Sequence, residues 1–163
     1  MAERRGALKP EPIVRALRGA FARDVSRQEL LDLAARRIRT AGAPYTSVYL
    51  YMLDHGVLRL EAFDGRETEH TRIPVGTGIC GQAVAERRDI NTPNVSAAPG
   101  YLACNLDTRS ELVVLIRRGD EILGQIDVDS DVPDPFTGAE EAEVRKVAEK
   151  YPDRPGIEAG QWV

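Results

Sequence analysis

Two cysteines and three carboxylates are the side chains best suited to covalent chemistry here: Cys80, Cys104, Glu111, Asp127 and Asp129. A thiolate attacks electrophilic sulfur, passes to a sulfenic acid, and is recovered through a disulfide when a second thiol can reach it. Cys80 lies in GTGICG, residues 76–81, where Thr77 can cap a helix whose third residue is the cysteine. The unpaired N–H groups and dipole of such a helix start favour a thiolate over a thiol. Cys104 lies in GYLACN, beside the Pro99–Gly100 turn, where a loop can present it to a pocket. Their 24-residue separation excludes a CxxC motif and leaves proximity in space open. Each also has a plainer reading, Cys80 as a small buried hydrophobe between glycines and Cys104 as a loop anchor.

The carboxylates have a spacing of their own. In QIDVDS, strand alternation puts Gln125, Asp127 and Asp129 on one face, and Ile126 and Val128 on the other, toward the helices. Two dry, ionised carboxylates about 7 Å apart repel, so they need solvent, a donor or a cationic ligand. Glu111 opens the neighbouring strand just after Ser110, and hairpin pairing can bring it to the same acidic face. Three carboxylates and a thiol in one hollow suit a small zwitterion whose ammonium needs anions, and do not suit a nucleotide phosphate. A solvated sheet face is the other reading of the same pattern.

Other chemistries lack their motifs. There is no GxxxxGK[ST], no suitable GxGxxG following a strand and no nucleophile elbow, and the Gly76-Thr77-Gly78 run is rejected as a phosphate loop. His55 falls in a hairpin turn and His70 enters a strand ten residues before Cys80; neither makes a recognised ligand spacing with a cysteine. No metal and no bound cofactor are expected.

The elements that must position these groups are marked in turn. Pro10 and Pro12 suit the entrance of a short helix through about Gly19. Ser26 and Glu29 make a capping box ahead of a helix over 27–40, with Leu30, Leu31, Ala34, Ala35 and Ile38 in one stripe. YTSVYLYML reads as a strand with Val48, Leu50 and Met52 on one face; DHG turns the chain, VLRLEAF returns, and a third short strand ends at Pro74. GTGICG leads into a brief helix. Residues 89–107, with Pro93, Pro99 and Gly100, read as one long connection of the kind that covers ligands. ELVVLI and EILGQIDVD are strands joined by a turn at Gly119. A final helix starts near Thr137 and aligns Val144, Val147, Ala148 and Tyr151; the tail beyond it could dock through Trp162. Strands joined by hairpins predict an α+β domain with an antiparallel sheet and helices mainly on one side.

With 163 residues, 42% apolar and 29% charged, the chain fits one globular domain with no room for a second catalytic one. Residues 1–40 carry ten basic and five acidic side chains, so this segment is +5 and the remainder of the −4 chain is −9. The acidic body argues against a nucleic-acid surface, whose affinity rests on phosphate neutralisation. The basic segment could instead face an acidic surface of its own domain or of a second subunit. No apolar run of eighteen residues and no signal-like start are present, so a cytoplasmic protein with reduced thiols and no membrane association is expected.

In combination, GTGICG, GYLACN, SELVV and GQIDVDS, in that order between Tyr45 and Tyr151, resemble the free methionine-(R)-sulfoxide reductase branch of the GAF-domain family. The resemblance implies a central antiparallel sheet flanked by helices, a pocket-covering loop at about 89–107, and a homodimer. It divides the chain into a leader and short helix (1–25), a GAF-like domain (26–152) and a tail (153–163). It implies Cys104 as nucleophile, Cys80 as the thiol that condenses with its sulfenic acid, and Glu111 or Asp129 as proton donor. Glu111, Asp127 and Asp129 would contact substrate, and an aromatic residue near Tyr45 would wall the methyl-sulfoxide site. A thioredoxin-like protein or other dithiol would be the external reductant. The family's third cysteine falls at His70, a departure that bears on turnover. A small-molecule-binding or redox-sensing GAF module without efficient turnover is the alternative.

Overall fold

The computed structural model describes residues 8–97 and 107–152. Within them run α1 (Pro10–Ala22), α2 (Arg27–Arg39), β1 (Ser47–Asp54), β2 (Val57–Asp64), β3 (Arg72–Pro74), α3 (Gly78–Glu86), β4 (Ile90–Thr92), a 3₁₀ turn at Val95–Ala97, β5 (Ser110–Arg118), β6 (Glu121–Ser130) and α4 (Gly138–Lys150). The strands form one sheet in the order β3-β2-β1-β6-β5-β4, with every neighbouring pair antiparallel. The expected α+β architecture is the one observed.

The starts of α2 and α4 follow their side-chain chemistry, whereas Thr77 stands at the start of α3 without the side-chain cap expected of it. Ser26 Oγ accepts from Glu29 N at 3.1 Å, and Thr137 Oγ1 from Glu140 N at 3.2 Å, each satisfying an N–H that the helix itself leaves unpaired. The stripe Leu30, Leu31, Ala34, Ala35 and Ile38 is buried as its spacing requires, and α2 lies on β1 and β2. Helix α4 covers β5, burying Val144, Val147 and Ala148. Helix α1 packs on α2 and α4, adding Ile13, Leu17 and Ala20 to the same core, so residues 10–22 are built into the body. It also runs past Gly19 to Ala22, further than Pro and Gly spacing suggests.

Alternation divides the sheet into two apolar layers. Val48, Leu50, Leu112, Val114, Ile126 and Val128 face α1, α2 and α4. Tyr49, Tyr51, Val113 and Leu115 face the other way, where α3 brings Ile79, Cys80, Ala83 and Val84 against them. The site residues belong to this second, smaller layer.

Two expectations change. Residues 89–107 are not one unpaired connection: Ile90–Thr92 is an edge strand on β5, with Thr92 opposite Glu111, and the 3₁₀ turn follows. Three residues ending at a proline are too short to show alternation. The basic N-terminal segment does meet acidic groups of its own domain: Arg27 pairs with Glu61, and Arg39 lies 3.7 Å from Asp64. Glu61 is the extra residue of a β-bulge, since Leu50 pairs with Ala62 but Tyr51 with Leu60.

The β1–β6 contact leaves no space at Gly124, where an added Cβ would fall 2.3 Å from the Tyr51 carbonyl oxygen. That neighbour is backbone and cannot rotate away. Gly124→Ala is expected to cost about 1–3 kcal/mol by overpacking. Urea unfolding should show a lower midpoint at unchanged slope.

Candidate active site

Strand pairing assembles the site from residues distant in sequence. Along one row Ser47, Asp129, Glu111 and Thr92 lie opposite one another across β1, β6, β5 and β4; in the next row Tyr49, Asp127 and Val113 do so. Asp127, Asp129 and Glu111 therefore share one face, and α3 closes over it. Cys80 is the third residue of α3. Its Sγ lies 3.3 Å from Asp127 Oδ2 and 3.5 Å from Glu111 Oε1, and its carbonyl accepts from Gln125 Nε2 at 3.1 Å. The cluster is dry: Cys80 is 6% exposed, Glu111 4%, Asp129 3% and Asp127 0%. The solvated-face reading of QIDVDS is thereby set aside.

Helix α3 sits this low because of its glycines. Gly76 N donates to the Gly81 carbonyl at 2.8 Å, and a Cβ on Gly81 would lie 2.6 Å from the Pro74 carbonyl oxygen. Gly78 has φ +64°, in the left-handed region. Together they fold the chain back on itself at the helix start and lower Cys80 onto the carboxylates.

The electrostatics reverse one expectation. Burial, and then the charges of Asp127, Glu111 and Asp129, push the Cys80 thiol well above its ordinary range, so it rests as a thiol rather than a thiolate. The pull of a helix start is worth up to about 2 kcal/mol, and desolvation beside three carboxylates outweighs it. Burial also raises Glu111, opposed by hydrogen bonds with Asp127 and Cys80 and by the charge of His70. Asp129 is raised well above the usual carboxylate range by burial, then by the charges of Glu111 and Asp131, against Arg66. Neither oxygen of Asp129 has a hydrogen-bond partner among the described residues. The cluster thus holds protons that solvated carboxylates would release.

The segment between β2 and β3 is strapped to the same face. Tyr49 Oη donates to the Arg66 carbonyl and Tyr51 Oη to the His70 carbonyl, each at 2.7 Å. Arg66 forms a two-pronged ion pair with Asp131, next to the cluster. His70 is thus held near Glu111 by backbone anchors.

Of the expected site residues, Cys80, Glu111, Asp127 and Asp129 come together. Tyr45 does not join them: it lies in the opposite core, stacked edge-on with Phe136 at 5.6 Å and with its hydroxyl on Glu140. Tyr49 and Tyr51 are the tyrosines on the site's face, and the parity that places Val48 and Leu50 with the helices implies it. Cys104 and Trp162 lie outside the described residues. The ligand spacing sought around histidine is supplied by carboxylates instead: ligand atoms of Cys80, Glu111 and Asp127 lie within 4.8 Å of one another.

A six-stranded antiparallel sheet of this order, with a buried polar cluster under a short helix, defines the domain. The GAF domain profile matches residues 26–150, and the chain belongs to the GAF domain family. It is 35% identical over 97 residues to the free methionine-R-sulfoxide reductase of Escherichia coli, a match covering 60% of this chain and 58% of that protein. It spans a little under two thirds of the length of the curated relatives it matches first, 64% and 58%. Among solved structures it resembles the type II free methionine-R-sulfoxide reductase of Thermoplasma acidophilum, with 34% identity, TM-score 0.71, and 84% and 90% of the two chains covered. It also resembles the Neisseria meningitidis free methionine-R-sulfoxide reductase in complex with its substrate, with 26% identity, TM-score 0.80, and 89% and 87% covered. The likeness to enzymes of this name agrees with the resemblance read from the motifs.

A raised carboxyl makes stability depend on pH. Because Asp129 is raised above 3.8, the folded form keeps a proton that the unfolded chain has lost. Its contribution is fully present below the unfolded value and is lost as pH rises through the folded one, at up to about 1.4 kcal/mol per pH unit. Asp129→Asn lacks this loss. Urea unfolding at pH 5 and pH 8 should therefore show the variant gaining on the wild type at the higher pH.

Proposed function

We propose that the protein reduces free L-methionine (R)-sulfoxide to methionine at the expense of a dithiol. The observation that carries this reading is a thiol within hydrogen-bond reach of two buried carboxyl groups, with a third, unpartnered carboxyl on the same face. The likeness to proteins named for this reaction supports it.

In this reading the substrate ammonium meets Glu111, Asp127 and Asp129, which explains why carboxylates are kept where burial penalises them. The Cys104 sulfur attacks the sulfoxide sulfur. A protonated carboxyl, Glu111 or Asp129, protonates the oxygen, which passes to Cys104 as a sulfenic acid while methionine departs. The substrate sulfur gains two electrons and Cys104 loses them. Cys80 then condenses with the sulfenic acid, releasing water and forming a disulfide, which a thioredoxin-like protein or other dithiol opens by exchange. A resting thiol at Cys80, protected by burial, suits this second role better than that of first nucleophile. The same reading includes a homodimer in the cytoplasm; among the described residues no helix is long and apolar enough to cross a membrane.

A binding or redox-sensing module without efficient turnover is the second reading, favoured by His70 at the position of the family's third cysteine. Incubation with dithiothreitol and each sulfoxide diastereomer separates the two. Consumption of the R form alone supports the reductase, and its persistence beside measurable binding supports the module. Cys104→Ser should abolish methionine formation. Cys80→Ser should still form about one methionine per protein without added reductant. Asp127→Asn should raise KM roughly ten-fold, as loss of a charged hydrogen bond worth about 1.5 kcal/mol implies.

A further inference from the structure

The acidic cluster beneath α3 is built for a tighter cation than an ammonium. Cys80 Sγ lies 3.5 Å from Glu111 Oε1 and 3.3 Å from Asp127 Oδ2. In a tetrahedral zinc site, with Zn–S near 2.3 Å and Zn–O near 2.0 Å, the sulfur-to-oxygen edge is about 3.5 Å. One ligand atom from each of the three residues falls within 4.8 Å of the others, and all three residues are buried. A separate observation points the same way. Asp129 is buried on the same face, opposite Glu111, and both its oxygens lack a partner among the described residues. Its oxygens fall outside the group that lies within 4.8 Å, so it is placed to hold a water in the fourth position and not to ligate directly. A thiol sulfur is only a weak acceptor for an ammonium, whereas a thiophilic dication binds it strongly as the thiolate. Magnesium and calcium, which prefer all-oxygen shells of six or more ligands, do not match a set that includes sulfur.

We propose that Cys80, Glu111 and Asp127 bind one thiophilic divalent cation, zinc foremost, and that the bound metal shuts the site by holding the thiol and carboxylates together. On binding, the S–H bond breaks, its proton leaves to solvent, and a sulfur–metal bond forms; no electron changes hands. Binding itself does not depend on the reductase reading, but the inhibitory consequence does.

Cadmium, which reports its thiolate bond by ultraviolet charge transfer, is the direct probe. Titration of the reduced, chelator-washed full chain should give a band saturating at one equivalent, displaced by zinc and untouched by excess magnesium. Cys80→Ser should lose the band and Cys104→Ser should keep it. Glu111→Gln and Asp127→Asn, which preserve shape, should each weaken binding at least ten-fold. No band, a band that follows Cys104 instead, or indifference to both carboxylate variants overturns the site. For the consequence, single turnover without added dithiol avoids chelation by the reductant: zinc-loaded protein should form no methionine and excess EDTA should restore it. Unloaded protein that forms methionine while cadmium gives no band refutes the metal site and leaves the reductase reading standing. A metal band in protein that never forms methionine does the reverse, and methionine formation by zinc-loaded protein removes the inhibition.

Discussion

Like charge crowded onto dry β-sheet is the constraint from which the rest of the site follows. Pairing of β1, β6 and β5 fixes Asp127, Asp129 and Glu111 on one face, and α3 removes the water that would screen them. Three ionised carboxylates cannot rest together in such a place, so the cluster keeps protons, holds the Cys80 thiol protonated and stands ready for a cation. The opposite face of the same strands carries mainly aliphatic side chains against three helices. A strong apolar layer behind the sheet therefore supports a weakly satisfied polar one in front.

In the proposed reaction this arrangement would separate the two sulfur chemistries. A thiol that is buried, protonated and hydrogen-bonded is a poor first attacker, yet it is well placed to wait for an oxidised sulfur brought to it. The shared face also gives the carboxyl groups two roles from one cause. Burial raises their affinity for protons, which a reduction of S=O consumes, and raises their need for positive charge, which an amino acid supplies.

Much of this was legible in the sequence where periodicity ran long enough. Ser26 with Glu29 marked α2, alternation in QIDVDS assigned each residue to its face, and hairpin logic brought Glu111 to the acidic row. Residues 90–92 failed as a strand signal because three residues ending at proline carry no period, although they form the sheet's edge. The protonation of Cys80 was misjudged because a helix start is visible in a motif, whereas the carboxylates that oppose it come from strands 31 and 47 residues away. Tyr45 was selected by likeness and not by parity; the two-residue repeat of β1 singles out Tyr49 and Tyr51. The closeness of Cys80 to the carboxylates has no sequence spacing, since strand register and the packing of α3 create it together.

The tyrosine straps have a bearing on how such a site can change over time. Both hydroxyls hold main-chain carbonyls, at Arg66 and His70, so these two anchors do not depend on which side chain occupies position 70. The segment is a socket whose two tyrosine pegs grip the main chain and stay in place whatever side chain the socket carries.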